Sequence, residues 1–355
     1  MDKLHLDQIE KYYDDWSLHL DLHVKNGEVM TLLGPSGCGK TTTLRIIAGF
    51  IHIDAGHLHL DNTLIDDVPP HQRNIGIVFQ DYALFPHMDV FKNIAFGMRM
   101  KKKYSKQAIR NRVEEMLSLV GLNGYEHRYP DQLSGGEQQR IALLRSIAPH
   151  PDILLLDEPL SALDFQLRKR LRQEIKNVQR QLGITTIYVT HDQEEAMSIS
   201  DRITVMKDGR IQQIGSPVEI YQHPKTEYVA QFVGRSNVIS GTIQEHVHGH
   251  FLIESPPYTF TIPAQQGYRV GEAVTFFFRP EESFLSVRPT TQNVMYGSIV
   301  GHEYLGAEIL TTISVQHHRS YIVSNYIKDN NVIKQEASEV YINFPVESCK
   351  IVAGA

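Results

Sequence analysis

One eight-residue segment has the composition and spacing needed to hold phosphate groups. Residues 34–41 read Gly-Pro-Ser-Gly-Cys-Gly-Lys-Thr and fit the pattern G-x-x-x-x-G-K-[ST]. Glycines let successive backbone N–H groups curl around phosphate oxygens, and the positive end of a following helix favours the same anions. We expect Lys40 to reach the β- and γ-phosphates of a nucleotide and the Thr41 hydroxyl to ligate Mg²⁺. The alternative is a glycine-rich turn without a ligand. The segment comprises Gly34, Pro35, Ser36, Gly37, Cys38, Gly39, Lys40 and Thr41.

Two adjacent carboxylates, Asp157 and Glu158, follow an apolar run over residues 153–156. Such a run predicts a buried strand, which would place Asp157 at its carboxyl end. There Asp157 could hold Mg²⁺ directly or through water. Glu158 could polarise a water for attack on a γ-phosphate. The alternative is a strand that merely ends in charged residues.

The segment 133–137, Leu-Ser-Gly-Gly-Glu, supports two interpretations. Ser134 and Glu137 have the spacing of a helix capping box, which needs no nucleotide. A serine-capped helix N-terminus that exposes Gly135 and Gly136 would also suit a γ-phosphate. Taken alone, the capping pattern favours the purely structural interpretation.

Alternating strands and helices are expected to position these groups. Short apolar runs occur at residues 29–33, 75–79, 153–156, 185–190 and 203–206. With helical patterns between them, they predict an α/β architecture with a largely parallel sheet over residues 1–235. Apolar residues recur every three or four positions from 167 to 182, which predicts a helix ending at Gly183.

The chain changes character at about residue 236. Strand-like segments at 238–243, 258–262, 274–278, 309–315, 321–323 and 340–344 alternate with short turns. This pattern predicts a C-terminal all-β unit, either a small barrel or a sandwich.

Composition restricts the function further. The chain has 355 residues, a net charge of −6 and only two cysteines, one of them inside the phosphate segment. These values are not those of a nucleic-acid binder or a disulfide-stabilised protein. No apolar run reaches the length of a membrane span, and the N-terminus lacks a signal-peptide core. The 18 histidines show no tight metal-ligand spacing. Their densest groups, at 246, 248 and 250 and at 317–318, are expected to be exposed strand or turn residues.

The order of these motifs resembles the ATPase subunit of an ABC transporter. The series runs through the phosphate segment, Gln80, residues 133–137, Asp157 with Glu158, the Ser-Ala-Leu-Asp segment 161–164 and His191. The Leu-Ser-Gly-Gly segment in this order is specific to that family. The resemblance implies an ABC ATPase domain over residues 1–235, with a helical subdomain at roughly 88–150. Less strongly, it implies a C-terminal OB-like small barrel over residues 236–355 with a regulatory or dimerisation role.

The resemblance also implies roles for individual residues. Two copies of the domain would sandwich two ATP molecules head to tail. Lys40, Thr41 and Thr42 of one chain would then face Ser134, Gly135, Gly136 and Glu137 of the other. Gln80 would contact Mg²⁺ or the attacking water and sense the membrane partner. Glu158 would be the general base, His191 would bind the γ-phosphate, and Asp164 would link the two copies. Tyr13 would stack on adenine, with Tyr12 as a close alternative and Trp16 as a weaker one.

The amino-acid sequence is most similar to those of ATPase subunits from binding-protein-dependent importers of the spermidine/putrescine and ferric-iron groups. The similarity is clearest at residues 82–98, 160–169, 191–197 and 232–238. It implies an integral membrane permease as partner, docked at residues 82–88, and an extracytoplasmic solute-binding protein. The chain would then be peripheral, on the cytoplasmic face of the membrane. Importers of sulfate, phosphonate or sugar are alternatives, as is a soluble ABC ATPase that drives no transport.

Overall fold

The computed structural model describes residues 2–161, 163–315, 319–326 and 339–353. The chain divides into two compact units, one ending at Pro217 and one beginning at Val218. The segment 218–235 therefore groups with the second unit, although the sequence places the domain boundary at residue 235. His317 and His318 lie outside the described residues. His246 and His248 are exposed, as predicted, whereas His250 is half-buried.

The first unit contains one ten-stranded sheet in the order β5-β4-β1-β2-β10-β9-β3-β8-β7-β6. Its strands are β1 (Asp2–Tyr12), β2 (Ser17–Lys25), β3 (Val29–Leu33), β4 (Ala55–Leu60), β5 (Thr63–Leu64), β6 (Ile75–Val78), β7 (Ile153–Asp157), β8 (Thr185–Thr190), β9 (Arg202–Lys207) and β10 (Arg210–Gly215).

Half of this sheet is parallel, as the sequence predicts. Strands β9, β3, β8, β7 and β6 pair in parallel register. Every residue of β3 and β8 is buried, which is why these strands read as continuous apolar runs.

The expectation of a largely parallel sheet is wrong for the other half. Strands β5, β4, β1 and β2 pair antiparallel, as do β9 and β10. In β2, buried Leu18, Leu20, Leu22 and Val24 alternate with more exposed polar residues. One face of this part of the sheet packs on the core and the other meets solvent, an arrangement that antiparallel sheets permit.

Six helices accompany the sheet of the first unit. They are α1 (Lys40–Ala48), α2 (Val90–Met100), α3 (Lys106–Leu119), α4 (Gly135–Ile147), α5 (Phe165–Leu182) and α6 (Gln193–Ile199). Helices α2, α3 and α4 occupy the predicted helical subdomain. Apolar side chains of all three, including Ile94, Val113 and Ile141, pack in one buried cluster. Helix α5 ends at Gly183, whose φ of 60° lies in the left-handed region that glycine adopts readily.

Among its described residues, the second unit carries two short α-helices and two antiparallel five-stranded sheets, ordered β13-β12-β11-β14-β20 and β15-β19-β16-β17-β18. The elements are α7 (Pro217–Gln222), which begins at the boundary, α8 (Glu227–Phe232), β11 (Asn237–Val247), β12 (His250–Ser255), β13 (Tyr258–Pro263), β14 (Ala273–Phe278), β15 (Phe284–Ser286), β16 (Asn293–Tyr304), β17 (Glu308–Val315), β18 (Arg319–Tyr326), β19 (Glu339–Phe344) and β20 (Lys350–Val352).

One apolar core joins the two sheets of the second unit. Phe278 from one sheet stacks on Phe344 from the other, with ring centroids 4.1 Å apart. Inward-facing side chains of both sheets, among them Ile253 and Ile313, belong to the same buried cluster. The predicted fold class, an ABC-type α/β domain followed by an all-β, OB-like domain, is confirmed.

Candidate functional site

The phosphate segment forms the turn between β3 and α1, and its glycines are required by geometry. Gly39 has a φ of 103°, in the left-handed region, and is the residue from which α1 begins. A Cβ atom on Gly34 would lie 2.5 Å from the Met206 carbonyl oxygen and 2.6 Å from the Cys38 sulfur. Neither position would accept a side chain without a shift of the turn that leads into the N-terminus of α1.

Lys40 is nearly buried, and its ammonium group is held by the turn itself. Its Nζ donates to the carbonyl oxygens of Gly34 at 2.7 Å and Pro35 at 2.9 Å. An ammonium group has three donors, so one remains for a phosphate oxygen. The lysine charge is thus already positioned beside the loop amides.

Thr41 and Asp157 bring two oxygen atoms together at the carboxyl edge of the sheet. The Thr41 hydroxyl donates to Asp157 Oδ1 at 3.2 Å. Burial raises the pKa of the Asp157 carboxyl, and the hydrogen bond from Thr41 partly opposes this. A hard divalent cation prefers such oxygen ligands and would favour the ionised carboxylate. These two side chains fit the predicted Mg²⁺ ligands.

Glu158 and His191 meet at the ends of neighbouring strands. Glu158 follows β7 and His191 follows β8, and the parallel register pairs Asp157 with Val189. Nδ1 of His191 lies 3.1 Å from Oε2 of Glu158. The Glu158 backbone has a φ of 43°, a conformation that non-glycine residues rarely adopt and that tends to occur at functional sites. Its N–H donates to the Val189 carbonyl at 3.0 Å, which holds this conformation.

A cavity of about 500 Å³ joins several of these groups. It is lined by Tyr13, Trp16, Ser36, Gly37, Gly39, Lys40, Thr41, Thr42, Arg45, Ile51 and Glu158. The sequence motifs did not predict Arg45 or Ile51 as residues of this cavity. Arg45 follows Thr41 by four residues and so shares its face of α1, a spacing that could have revealed it.

The aromatic residues at the cavity mouth favour one of the two tyrosine candidates. Tyr13 lines the cavity, with its ring centroid 5.5 Å from that of Trp16. Tyr12 is absent from the lining, and its hydroxyl donates to Glu10. Tyr13 is therefore the better placed of the two to stack on a base.

The motif at residues 134–137 caps α4 and does not line this cavity. Ser134 Oγ accepts from the Glu137 N–H at 3.4 Å, and Glu137 Oε2 accepts from the Ser134 N–H at 2.8 Å. The Ser134 hydroxyl also donates to Glu137 Oε2 at 2.8 Å, and the bonds that the carboxylate accepts from the Ser134 N–H and hydroxyl lower the pKa of the Glu137 carboxyl. Ser134 and Gly135 are exposed. The capping box is thus present, and its helix N-terminus faces outward from a single chain.

Gln80 and Asp164 also lie apart from the cavity lining. Gln80 is exposed, two residues beyond β6, which pairs with β7. Asp164 caps α5 by accepting from the Leu167 N–H at 3.0 Å. A single chain therefore brings Lys40, Thr41 and Glu158 to the cavity and leaves Gln80, Ser134, Gly135 and Asp164 exposed. The expectation that Gly136 is exposed is wrong, because the first turn of α4 packs it beside Leu167.

The loop after Gln80 is fixed to α4 by one arginine. Arg145 donates to the carbonyl oxygens of Ala83 at 2.6 Å and Tyr82 at 3.0 Å. Its guanidinium also lies 5.3 Å from the Phe85 ring centroid, within the range of a cation–π contact. This loop is thereby coupled to the helix that Ser134 caps.

Both cysteines are buried free thiols. Burial raises the pKa of the Cys38 thiol, so it stays protonated near neutral pH.

Comparison with known proteins agrees with this geometry. Residues 18–161 match the family described as ABC transporter. The spermidine/putrescine import ATP-binding protein PotA of Oleidesulfovibrio alaskensis is 48% identical over 307 residues, 85% of this chain and 82% of that protein. The proteins of the same name from Nitratidesulfovibrio vulgaris and Clostridium novyi are each 45% identical, over 88% and 87% of this chain and 86% of each relative.

Two solved structures resemble the chain. One is cbiO1 from Clostridium perfringens, part of the ABC transporter complex cbiONQ, with a TM-score of 0.57 and 30% identity over 62% of this chain and 90% of that one. The other is a dimeric, post-hydrolysis state of the ATP-binding cassette MJ0796 bound to ADP and Pi. Its TM-score is 0.53, with 30% identity over 60% of this chain and 98% of that one.

The chain belongs to the ABC transporter family, as an ATP-binding subunit. It is an ATPase, and the resemblance inferred from its motifs is confirmed. None of the helices among the described residues combines the length and hydrophobicity that a membrane span requires.

Proposed function

We propose that this chain powers a binding-protein-dependent importer of polyamines, such as spermidine or putrescine. The observation that carries this proposal is the 48% identity to a spermidine/putrescine import ATP-binding protein, which extends over 85% of the chain and so includes much of the second unit. Ferric iron is the second candidate from the sequence. Sulfate, phosphonate and sugars remain alternatives within the same class.

ATP hydrolysis at this site would depend mainly on positioning and on charge stabilisation. Lys40 and the amides of the phosphate turn would bind the β- and γ-phosphates. Glu158 would accept a proton from the attacking water. His191 would hydrogen-bond the γ-phosphate and, through its contact with Glu158, orient that carboxylate. The 3.1 Å separation between these two side chains supports both assignments.

Thr41, Asp157 and Gln80 would hold Mg²⁺. When bound there, the ion would neutralise negative charge on the phosphate oxygens. The 3.2 Å bond between Thr41 and Asp157 supports the first two ligands, because both oxygens face the same point. Gln80, at the neighbouring strand end, would reach the ion or the attacking water.

A second copy of the chain would complete the site. Ser134, Gly135 and Gly136 are well formed as a helix N-terminus, yet they do not line the cavity of their own chain. Supplied by a second copy, they would face the γ-phosphate. Glu137 would hold that helix end through its capping bonds, and Asp164 would lie near the contact between copies.

An integral membrane permease would dock at residues 82–88. Phe85 there packs on Phe96 at 4.6 Å between ring centroids, and Arg145 ties the loop to α4. A partly apolar, partly exposed loop of this kind suits a short helix from a partner. The chain would thus be peripheral, on the cytoplasmic face of the membrane, and would serve an extracytoplasmic binding protein indirectly. We propose no nucleic-acid partner.

Substrate uptake tests this proposal. Deletion of the gene should abolish uptake of labelled spermidine or putrescine, and the wild-type gene should restore it where a Lys40→Ala variant should not. Loss of ferric-iron uptake with normal polyamine uptake would support the second candidate. Normal uptake of all these solutes together with cytosolic ATPase activity would favour a soluble ABC ATPase.

A further inference from the structure

The exposed face of the antiparallel half-sheet carries a row of histidines that the ATPase mechanism does not use. Strand register places His5 opposite His23 on β2 and opposite His59 on β4. The His5 and His23 rings stack with centroids 3.8 Å apart, and the His59 ring lies 6.0 Å from that of His5. Side chains two residues apart share a sheet face, so Asp21 lies beside His23 on the same side.

Three of these side chains converge at one point. One donor atom each of His5, Asp21 and His23 lies within 4.8 Å of the other two. His23 Nε2 is 3.8 Å from Asp21 Oδ1. Zinc binds imidazole nitrogen and carboxylate oxygen at about 2.0–2.2 Å, so tetrahedral ligands lie roughly 3.3 Å apart. Small side-chain rotations would bring the three donors to that spacing.

Two further residues, Asp2 and Gln8, hydrogen-bond the candidate ligands and orient them. His23 Nδ1 is 3.0 Å from Asp2 Oδ2, which directs the opposite ring nitrogen, Nε2, toward Asp21. A carboxylate behind a ligating histidine is the usual way that its tautomer is fixed. Gln8 Nε2 donates to Asp21 Oδ2 at 2.5 Å, leaving Oδ1 to face His23.

The backbone places Gln8 for this role. The β1–β2 register shifts between Leu6 and Ile9, where the strand bulges, and Gln8 has a φ of 48°. A bulge redirects side chains, and here the Gln8 amide reaches across to Asp21. The ligands and their supports thus come from two adjacent strands, outside the nucleotide cavity.

We propose that His5, His23 and Asp21 bind a zinc-class divalent cation, with water as fourth ligand. The ion would cross-link β1 to β2 on their solvent face. Because it binds the folded sheet and finds no such site in the unfolded chain, it would raise the stability of the first unit. The chemistry is that of imidazole and carboxylate ligands and is separate from the Mg²⁺ site at Thr41 and Asp157.

Metal titration of the full-length, tag-free, nucleotide-free protein tests this proposal. Calorimetry with Zn²⁺ and visible absorption with Co²⁺ should reveal one ion per chain, with the absorption of a four-coordinate site. Zn²⁺ should also raise the melting temperature of the wild type. His23→Ala should lose this ion and the thermal shift, and Asp2→Asn should weaken binding at least about tenfold.

The controls separate a specific site from general histidine binding. His248→Ala, in the exposed turn between β11 and β12, should behave as the wild type. Without metal, His23→Ala should still unfold cooperatively with only a small decrease in melting temperature, because the half-exposed ring loses no more than its stacking on His5 and its pair with Asp2. Should that variant fail to fold, Asp21→Asn replaces it. Identical isotherms for the wild type and the ligand variants, or no stoichiometric ion in the wild type, would overturn the proposal.

Discussion

His191 Nδ1 lies 3.1 Å from Glu158 Oε2, between the carboxyl ends of two adjacent parallel strands. The contact joins the proposed general base to a side chain that would also reach the γ-phosphate. Because both residues follow buried strands held in fixed register, their separation is set by the sheet. The geometry resembles other sites in which a second residue orients the base.

Replacement of His191 by alanine should reduce ATP turnover roughly 100-fold while leaving ATP affinity nearly unchanged, since a hydrogen bond that strengthens in the transition state is lost. Steady-state phosphate release and nucleotide binding measure the two effects. His71→Ala, at an exposed histidine outside the site, is the matched control. The combined His191→Ala, Glu158→Gln variant should be scarcely slower than the slower single variant. Additive losses would mean that the two residues act independently.

Replacement of Lys40 by alanine should weaken ATP binding about 10- to 100-fold, because a charge-assisted bond to phosphate is lost. Isothermal titration with ATP in the presence of Mg²⁺ measures this. Lys40→Arg should restore little, since a planar guanidinium does not reproduce the two carbonyl contacts of the ammonium. Wild-type affinity in a folded Lys40→Ala protein would refute the assignment.

Tyr13→Ala should weaken ATP binding about tenfold, whereas Tyr12→Ala should change it by less than about twofold, because stacking on a base contributes roughly 1–3 kcal/mol. Tyr13→Phe retains the ring and is the control for loss of the hydroxyl. Titration with ATP and with inorganic triphosphate separates base contacts from phosphate contacts. The reverse order of the two alanine variants would assign the stacking role to Tyr12.

Ser134→Ala should destabilise the first unit by about 1 kcal/mol at pH 7, through loss of a helix cap. The Glu137 pKa lies below its ordinary value in the folded chain because of hydrogen bonds from Ser134. That stabilisation is therefore present above the unfolded pKa and is lost as the pH falls through the folded pKa. Ser134→Ala removes the hydroxyl bond to Glu137 and keeps the backbone N–H bond, so its stability difference from the wild type in urea unfolding should shrink as the pH falls through the lowered Glu137 pKa.

Glu137→Gln separates capping from phosphate binding at the same position. Glutamine preserves the capping geometry and removes a negative charge beside the proposed γ-phosphate position. We therefore expect a modest loss of stability at pH 7, because a neutral amide accepts the Ser134 hydrogen bonds less strongly than the ionised carboxylate does, and stronger ATP-dependent dimerisation, measured by light scattering. A destabilised Glu137→Gln protein with unchanged dimerisation would restrict this residue to its structural role.

Much of the nucleotide site could be predicted because its parts are local in sequence. The phosphate segment follows β3, and Asp157 and Glu158 lie at the end of β7; the apolar residues of both strands are all buried, so each strand is visible as an apolar run. Arg45 was missed because its relation to the cavity depends on the helix face and not on a motif. The separation of Ser134 from the cavity of its own chain is what the resemblance implies, since it predicts a site shared between two copies.

The antiparallel half of the first sheet was less visible in the sequence. In β1 and β2 the buried leucines alternate with polar residues, so neither strand forms an apolar run. The convergence of His5, His23 and Asp21 depends on cross-strand register and on the bulge at Gln8. Histidine spacing along the chain therefore gave no sign of it.

ATP turnover and oligomeric state of a Glu158→Gln variant test the central claim most directly. The glutamine cannot accept a proton, so phosphate release should fall at least about 100-fold while ATP binding persists. With ATP and Mg²⁺ the variant should accumulate as a dimer, whereas Glu194→Gln, at an exposed glutamate on α6, should behave as the wild type. Wild-type turnover by Glu158→Gln, or a variant that binds ATP and remains monomeric, would contradict a composite site with Glu158 as its base.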